Sequence, residues 1–491
     1  MNLSKESLKD IRTPAVTKPA ETLFSLPEKV LQFGTGVLLR GLPDYFIDKA
    51  NRQGLFNGRI VVIKSTDSGD AAAFDRQDGL YTLCVRGIEA GHKVEENIIS
   101  SALSRVLSAR DQWLDILRLA HNPEMQIIVS NTTEVGIQLV EDDISRNPPV
   151  SFPGKLLAFL YERFQAFKGS PESGMIIVPT ELIVDNGKKL AAIVNELARI
   201  AGLDADFLLW LEQHCRFCSS LVDRIVPGKP APAPLQQLTH DLGYTDDLLA
   251  ISEVYRLWAI EGDQKVRSIL SFAAADEGVI IQPDIEIYRE LKLRLLNGTH
   301  TLSCGLAFLT GFATVKNAMD DTNFSNFVAD LMLKEIAPAI PYDVPLQEAR
   351  DFGLQVLDRF RNPHIQHQWL SITMQYSSKI KSRVIPVLLR HYEQHSTPPT
   401  HLTLGFAAYL LFMKGGSHPV NDDKANYYTA LWQHNEPAAV VNQSLKDQSL
   451  WGADLTQLPG FETAVLESLT NLLDKGPAAT LAQLTTKKSV L

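Results

Sequence analysis

Lys29-Val-Leu-Gln-Phe33 runs directly into Gly34-Thr-Gly36, and the reading of that junction decides the fold. The first five residues have the short, mostly apolar character of a buried strand. The glycines allow a tight turn, and residues 37–51 then space apolar side chains as a helix does, at Leu38, Leu39, Leu42, Tyr45 and Phe46. Arg59-Ile-Val-Val-Ile-Lys64 follows as a second strand, β-branched and apolar along nearly its whole length, which suits a parallel strand covered on both faces. Strand, glycine turn, helix and strand predict a βαβ unit.

The pattern repeats outward from there. Gln126-Ile-Ile-Val-Ser130 and Gly174-Met-Ile-Ile-Val-Pro179 are further buried-strand signals, with helices predicted near residues 110–121 and 155–167. The alternation predicts a Rossmann-like, doubly wound α/β domain over residues 1–284, with residues 1–28 as an N-terminal extension. Pro227-Gly-Lys-Pro-Ala-Pro-Ala-Pro234 is the strongest punctuation in the chain and predicts an extended, partly stiff segment. Beyond about residue 285 strand signals nearly vanish. Apolar-periodic runs at residues 324–336, 351–361, 369–392 and 402–413 predict a mainly α-helical domain over residues 285–491, carrying the substrate and catalytic groups.

Bulk composition excludes several function classes. At 491 residues, 45% apolar and 21% charged, the chain has the balance of a soluble globular protein with two or three domains. A net charge of −10 argues against a general nucleic-acid or membrane-surface binder, since both need broad basic patches. Residues 1–28 contain no apolar core of signal-peptide length, and the longest apolar stretches are too short to span a bilayer. The expectation is a cytoplasmic protein acting on a small molecule. Four cysteines do not make a disulfide framework. Cys215-Arg-Phe-Cys218 has no second ligand pair at similar spacing, so it reads as two buried small thiols and no metal is expected.

Gly34-Thr-Gly36 lies where a dinucleotide pyrophosphate would meet a helix start, so Phe33, Gly34, Thr35 and Gly36 are candidate cofactor-binding residues. The third glycine of the usual fingerprint would fall at Leu39, so the motif is incomplete, and a tight turn without a ligand is the plain alternative. No Gly-Lys-Ser/Thr follows, which excludes a P-loop. Asp67, just past the second strand, is a candidate partner for the adenosine ribose hydroxyls. Lys64 lies close enough to accept a 2′-phosphate, so NAD is favoured with NADP left open.

The other chemistry-bearing run is Tyr288-Arg-Glu-Leu-Lys-Leu-Arg-Leu-Leu-Asn-Gly-Thr-His300. Lys292, Asn297 and His300 place an amine, an amide and an imidazole among Leu291, Leu293, Leu295 and Leu296. A lysine held against apolar surface loses hydration of its charged form, which suits it to proton transfer. Asn297-Gly298 is a helix-ending signal and Thr299 a cap, which predicts Lys292 and His300 on consecutive helices. An ordinary helix with a snorkelling lysine is the bland alternative.

These pieces together resemble the polyol-specific long-chain dehydrogenases, the mannitol dehydrogenase family. The match is carried by Gly34-Thr-Gly36 with Arg40, Gln77-Asp-Gly-Leu-Tyr-Thr-Leu83, Thr132-Thr-Glu134, Val222-Asp-Arg-Ile225, and Lys292 with Asn297 and His300 at the family's catalytic spacing. Leu119-Ala-His-Asn-Pro-Glu-Met125, Ser130-Asn-Thr-Thr-Glu134, Phe217-Cys-Ser-Ser-Leu-Val-Asp-Arg-Ile225 and Arg359-Phe-Arg-Asn-Pro363 resemble the hexuronate reductases of that family. The resemblance implies metal-independent hydride transfer between NAD(H) and an open-chain sugar or sugar acid. It implies Lys292 as general acid/base, Asn297 as donor to the reacting oxygen, and His300 as an orienting group. It also implies Thr133 and Glu134 at the cofactor, and Asp223 and Lys379 at the substrate. A uronate carboxylate needs an extra cation, for which Lys379 and Arg383, four apart and able to share one side of a helix, are the candidates, with a solvated surface charge the plain alternative for Arg383. Polyol members carry a second oxyanion-site asparagine where this chain reads Thr180-Glu-Leu182, so a simple polyol is disfavoured. A sister activity on fructuronate or mannitol, and a catalytically silent NAD-binding sensor, remain as alternatives. Oligomeric state stays open.

Overall fold

The structure, a computed structural model, describes residues 1–65, 71–132 and 135–486; Asp67, Thr133 and Glu134 lie outside the described residues. Two compact units divide the chain, one of residues 1–87 and 93–285, the other of residues 88–92 and 286–491.

The first unit is built on a six-stranded parallel sheet in the order Leu103–Ser108, Arg59–Lys64, Glu28–Phe33, Ile127–Ser130, Ile176–Pro179, Arg216–Phe217. The four strands expected from the sequence are its four central members. Their side chains divide between two cores: Val30, Val62 and Val129 face one, while Leu31, Val61, Ile63 and Ile128 face the other. Each such burial is worth roughly 1.5–3 kcal/mol against roughly 1–2 kcal/mol for ordering the residue's backbone, so strands this short persist because both faces are covered.

From Glu28–Phe33 the chain moves outward to Arg59–Lys64, then returns to Ile127–Ser130 on the opposite side. The winding direction therefore reverses between the first and fourth strands in chain order. In open parallel sheets a ligand binds beyond the carboxyl ends at such a point. Gly34 and Asn131 lie there.

Four features depart from the sequence reading. Residues 37–51 are two helices, Val37–Gly41 and Pro43–Arg52, because Leu42 leaves helical geometry (φ −135°, ψ −77°) and Pro43 starts the second. Two further three-stranded sheets are present, one of Ala250–Glu253, Tyr81–Glu89 and His92–Ser100, the other of Val279–Gln282, Leu257–Glu261 and Ser220–Asp223. The N-terminal residues are no loose extension: Leu3, Ile11 and Val16 are buried in a core with Leu80, Cys84, Ile99 and Tyr244. Pro232, expected in an extended segment, instead opens the helix Pro232–Leu242, whose first turn tolerates its missing N–H.

The second unit is helical. Thr400–Met413 is buried on nearly all sides, which explains its continuous apolar run. The expected run over residues 369–392 is interrupted. Trp369–Ile372 ends, Gln375 takes a left-handed conformation (φ 52°), and Tyr376–Lys379 restarts with Asp422 accepting from the Ser377 N–H (2.7 Å) and Oγ (2.9 Å). No helix among the described residues is long and apolar enough to cross a membrane.

Candidate active site

Each unit holds one part of the predicted site. In the first, the Gly34 N–H donates to the Ile63 carbonyl (3.1 Å) and the Asn131 N–H to the Phe33 carbonyl (3.1 Å), tying the glycine turn to both neighbouring strand ends. Gly34 has φ +126°, and a Cβ there would meet the Asn131 carbonyl oxygen at 2.8 Å, so the fold itself demands glycine. Gly36 differs. A Cβ on it would meet nothing within 4 Å, which leaves open space at the start of Val37–Gly41.

That opening fits a dinucleotide pyrophosphate, which needs close backbone approach at a helix start. Arg40 braces the turn by donating from Nη1 to the Thr35 carbonyl (2.7 Å), and its guanidinium lies over the Phe74 and Tyr81 rings. Beneath it, Asp44 is buried and accepts only a long hydrogen bond from Gln32 Nε2 (3.5 Å); burial pushes its carboxyl up to about 8. Gly36→Val should therefore abolish NADH binding while leaving thermal unfolding close to wild type. Normal cofactor titration by that variant would disprove the placement of the turn.

Glu181 organises the adjoining loop. Its Oε1 accepts from Thr132 N (2.9 Å) and Oγ1 (3.0 Å), and its Oε2 from Ser130 Oγ (3.1 Å). Leu182, at the position of the polyol enzymes' second asparagine, is 64% exposed and offers no hydrogen bond there. Asp223 ends the strand Ser220–Asp223 and is buried in this first unit. Cys215 and Cys218 are buried free thiols that burial pushes up to about 12, so neither is a nucleophile near neutral pH.

In the second unit the sequence expectation needs correction. Gly298 and Thr299 are both helical (φ −65° and −62°), so Lys292, Asn297 and His300 share one unbroken helical run. Glu286–Leu291 is α-helical, Lys292–Gly298 is a π-helical segment, and Thr299–Thr310 is α-helical again. Leu291, Leu295, Leu296 and Leu302 are all buried, and that packing overrides the glycine. The π segment matters for geometry. On an α-helix residues five apart point roughly 140° away from each other. A π turn bonds residue i to i+5, so residues five apart stack along one face, which puts Lys292 and Asn297 on the same side.

His300 stacks on Phe360 (ring centroids 4.1 Å, interplanar angle 12°) and meets the rings of His367 (5.2 Å) and Trp369 (5.9 Å) edge-on. Burial, reinforced by His367, Arg359, Arg383 and Lys379, holds its imidazolium well below the usual histidine range. The ring is therefore neutral near neutral pH, and its buried Nε2 has no hydrogen-bond partner among the described residues. Lys379 donates to the Ile372 carbonyl (2.9 Å), and Arg383 Nη1 donates to Thr301 Oγ1 (3.1 Å), which itself donates to the Asn297 carbonyl (2.7 Å). Among the described residues neither cation ion-pairs with a carboxylate. The structure thus gathers Lys292, Asn297, His300, Lys379 and Arg383 in one unit. It adds Arg359 and His367, which sequence reasoning missed. Arg359 stood in a quoted motif without a role, and His367 gave no signal.

Comparisons with known proteins find matches to both parts of the chain. Residues 28–271 match the mannitol dehydrogenase Rossmann domain model, and residues 284–473 match the mannitol dehydrogenase C-terminal domain model. The altronate oxidoreductase of Bacillus subtilis (strain 168) is 38% identical over 93% of this chain and 95% of its own length. That of Pectobacterium carotovorum subsp. carotovorum (strain PC1) is 38% identical over 92% and 96%. Among solved structures, the mannitol 2-dehydrogenase of Pseudomonas fluorescens in ternary complex with NAD and D-mannitol shares the fold with a TM-score of 0.66 at 23% identity, covering 99% of this chain and 100% of its own. A substrate-free D-sorbitol dehydrogenase does so with a TM-score of 0.78 at 20% identity, covering 98% and 100%.

Proposed function

The chain belongs to the mannitol dehydrogenase family of oxidoreductases acting on CH–OH groups, and from that premise we propose that it interconverts tagaturonate and altronate with NAD(H). The observation that carries the substrate is the likeness to altronate oxidoreductases over more than nine-tenths of the chain. Lys379 and Arg383, neither of which forms an ion pair with a carboxylate among the described residues, support an anionic sugar over a neutral one. NAD is favoured over NADP, although Lys64 ends the second strand and Asp67 lies outside the described residues.

Bound NADH supplies the hydride that reduces the ketone carbon. Lys292 donates the proton to the carbonyl oxygen as that oxygen becomes an alkoxide, and takes it back when altronate is oxidised. The Asn297 amide, on the same face of the π turn, donates a hydrogen bond to that oxygen as its charge grows. His300, held neutral, orients a substrate hydroxyl through its unpartnered Nε2. Lys379 and Arg383 receive the carboxylate, and Asp223 accepts from sugar hydroxyls.

NADH oxidation with tagaturonate, fructuronate and fructose measured side by side tests the reading, with tagaturonate expected to be fastest. Faster turnover of fructuronate or fructose would hand the assignment to a sister activity. NADH binding without turnover of any of the three would favour a silent sensor. Lys379→Met should raise KM for the ketouronate far more than for a neutral ketose, because only the former loses an ion pair. Equal effects would send the search for the carboxylate partner elsewhere.

A further inference from the structure

Two π-helical segments lie against each other in the second unit, Lys292–Gly298 and Ile380–Val384. The first carries the proposed acid/base, and the second follows directly on Lys379 and contains Arg383. The turn that the second one makes is widened, with the Ile385 N–H reaching back five residues to the Ile380 carbonyl. Arg294 reaches this turn from the neighbouring helix: its Nη1 donates to the Ser382 carbonyl (2.6 Å) and the Arg383 carbonyl (3.1 Å). Its other edge is fixed by Glu290, which accepts from Nε (2.9 Å) and Nη2 (3.2 Å). Arg294 is buried, so this fork is held in a low-dielectric setting where charge-assisted bonds are strong. The second helix answers with its own link, from Arg383 through Thr301 Oγ1 to the Asn297 carbonyl.

We propose that Arg294, oriented by Glu290, is a positioning residue that clasps the Ser382 and Arg383 carbonyls and so sets the spacing between the helix of Lys292, Asn297 and His300 and the helix of Lys379 and Arg383. It touches no substrate and acts through the groups on either side. The inference rests on the site reading above, and goes beyond it in naming what joins the two widened helices where they meet. A guanidinium is required because only a planar fork serves a carboxylate on one edge and two carbonyls on the other.

Arg294→Met should lower kcat by about 10²-fold, the scale of a misplacement near 1 Å, with NADH Kd unchanged. Arg294→Lys should not rescue it. Hydrogen exchange by mass spectrometry gives a readout independent of turnover: Arg294→Met should speed exchange in residues 292–301 and 380–388 together, and little elsewhere. Wild-type kcat and exchange in Arg294→Met would overturn the proposal. Should Arg294→Met loosen the protein throughout, the gentler Glu290→Gln decides the matter: a fall in kcat with exchange confined to those two stretches supports positioning, and unchanged kcat overturns it. If the wild type reduces no sugar acid, the proposed reaction fails while the exchange pattern still decides the clasp.

Discussion

Lys292→Ala is expected to lower turnover by about 10²–10⁴, the range for loss of a general acid/base, and to leave NADH affinity unchanged. The reduced ketone needs one proton on its oxygen, and the groups nearby cannot replace the lysine as its source. His300 is held neutral by burial and by the surrounding cations, so it has no imidazolium proton to give. Arg383 is engaged with Thr301, and Lys379 donates to a backbone carbonyl in a separate helix. The loss should therefore appear in kcat and in single-turnover NADH oxidation, while titration of NADH into the variant follows the wild-type curve. Near-normal single-turnover rates would remove Lys292 from the proton-transfer role.

How much of this could be read from the sequence depends on which interactions decide each element. The four central strands announce themselves because burial on both faces forces an apolar run, as in Arg59-Ile-Val-Val-Ile-Lys64. The strands Tyr81–Glu89 and His92–Ser100 do not. The second is mostly polar, with only its last residues buried, and its pairing is set by partners such as Thr17, far from it in sequence. Residues 1–28 read only as an N-terminal extension because their apolar residues are scattered singly, and only the folded chain collects Leu3, Ile11 and Val16 beside Tyr244.

The site divides in the same way. Lys292, Asn297 and His300 are identifiable by residue type and spacing, but the geometry that unites them is a π turn, which leaves no local signature. Asn297-Gly298 carries the marks of a helix end, and the neighbouring packing cancels them. The restart of the helix at Tyr376 depends on Asp422, which no local pattern pairs with Ser377.

Asn297→Ala should cost on the order of 10²–10³ in turnover, the penalty for removing one donor to a developing oxyanion. The π turn is central to that expectation. Were residues 292–298 α-helical, the amide would point roughly 140° away from the Lys292 side chain and could not share its oxygen. The resemblance to polyol members implies a second asparagine sharing the task, whereas here that position is an exposed Leu182 and the adjoining Glu181 is occupied with Ser130 and Thr132. No amide in that loop position is available to compensate, so the cost should reach the upper part of the range and exceed that in a two-asparagine site. Because the interaction strengthens as the carbonyl oxygen becomes an alkoxide, kcat and kcat/KM should fall together while KM stays nearly constant. A rise in KM at unchanged kcat would reassign Asn297 to binding the ground-state sugar, and leave Lys292 as the only group on the π turn acting on the reacting oxygen.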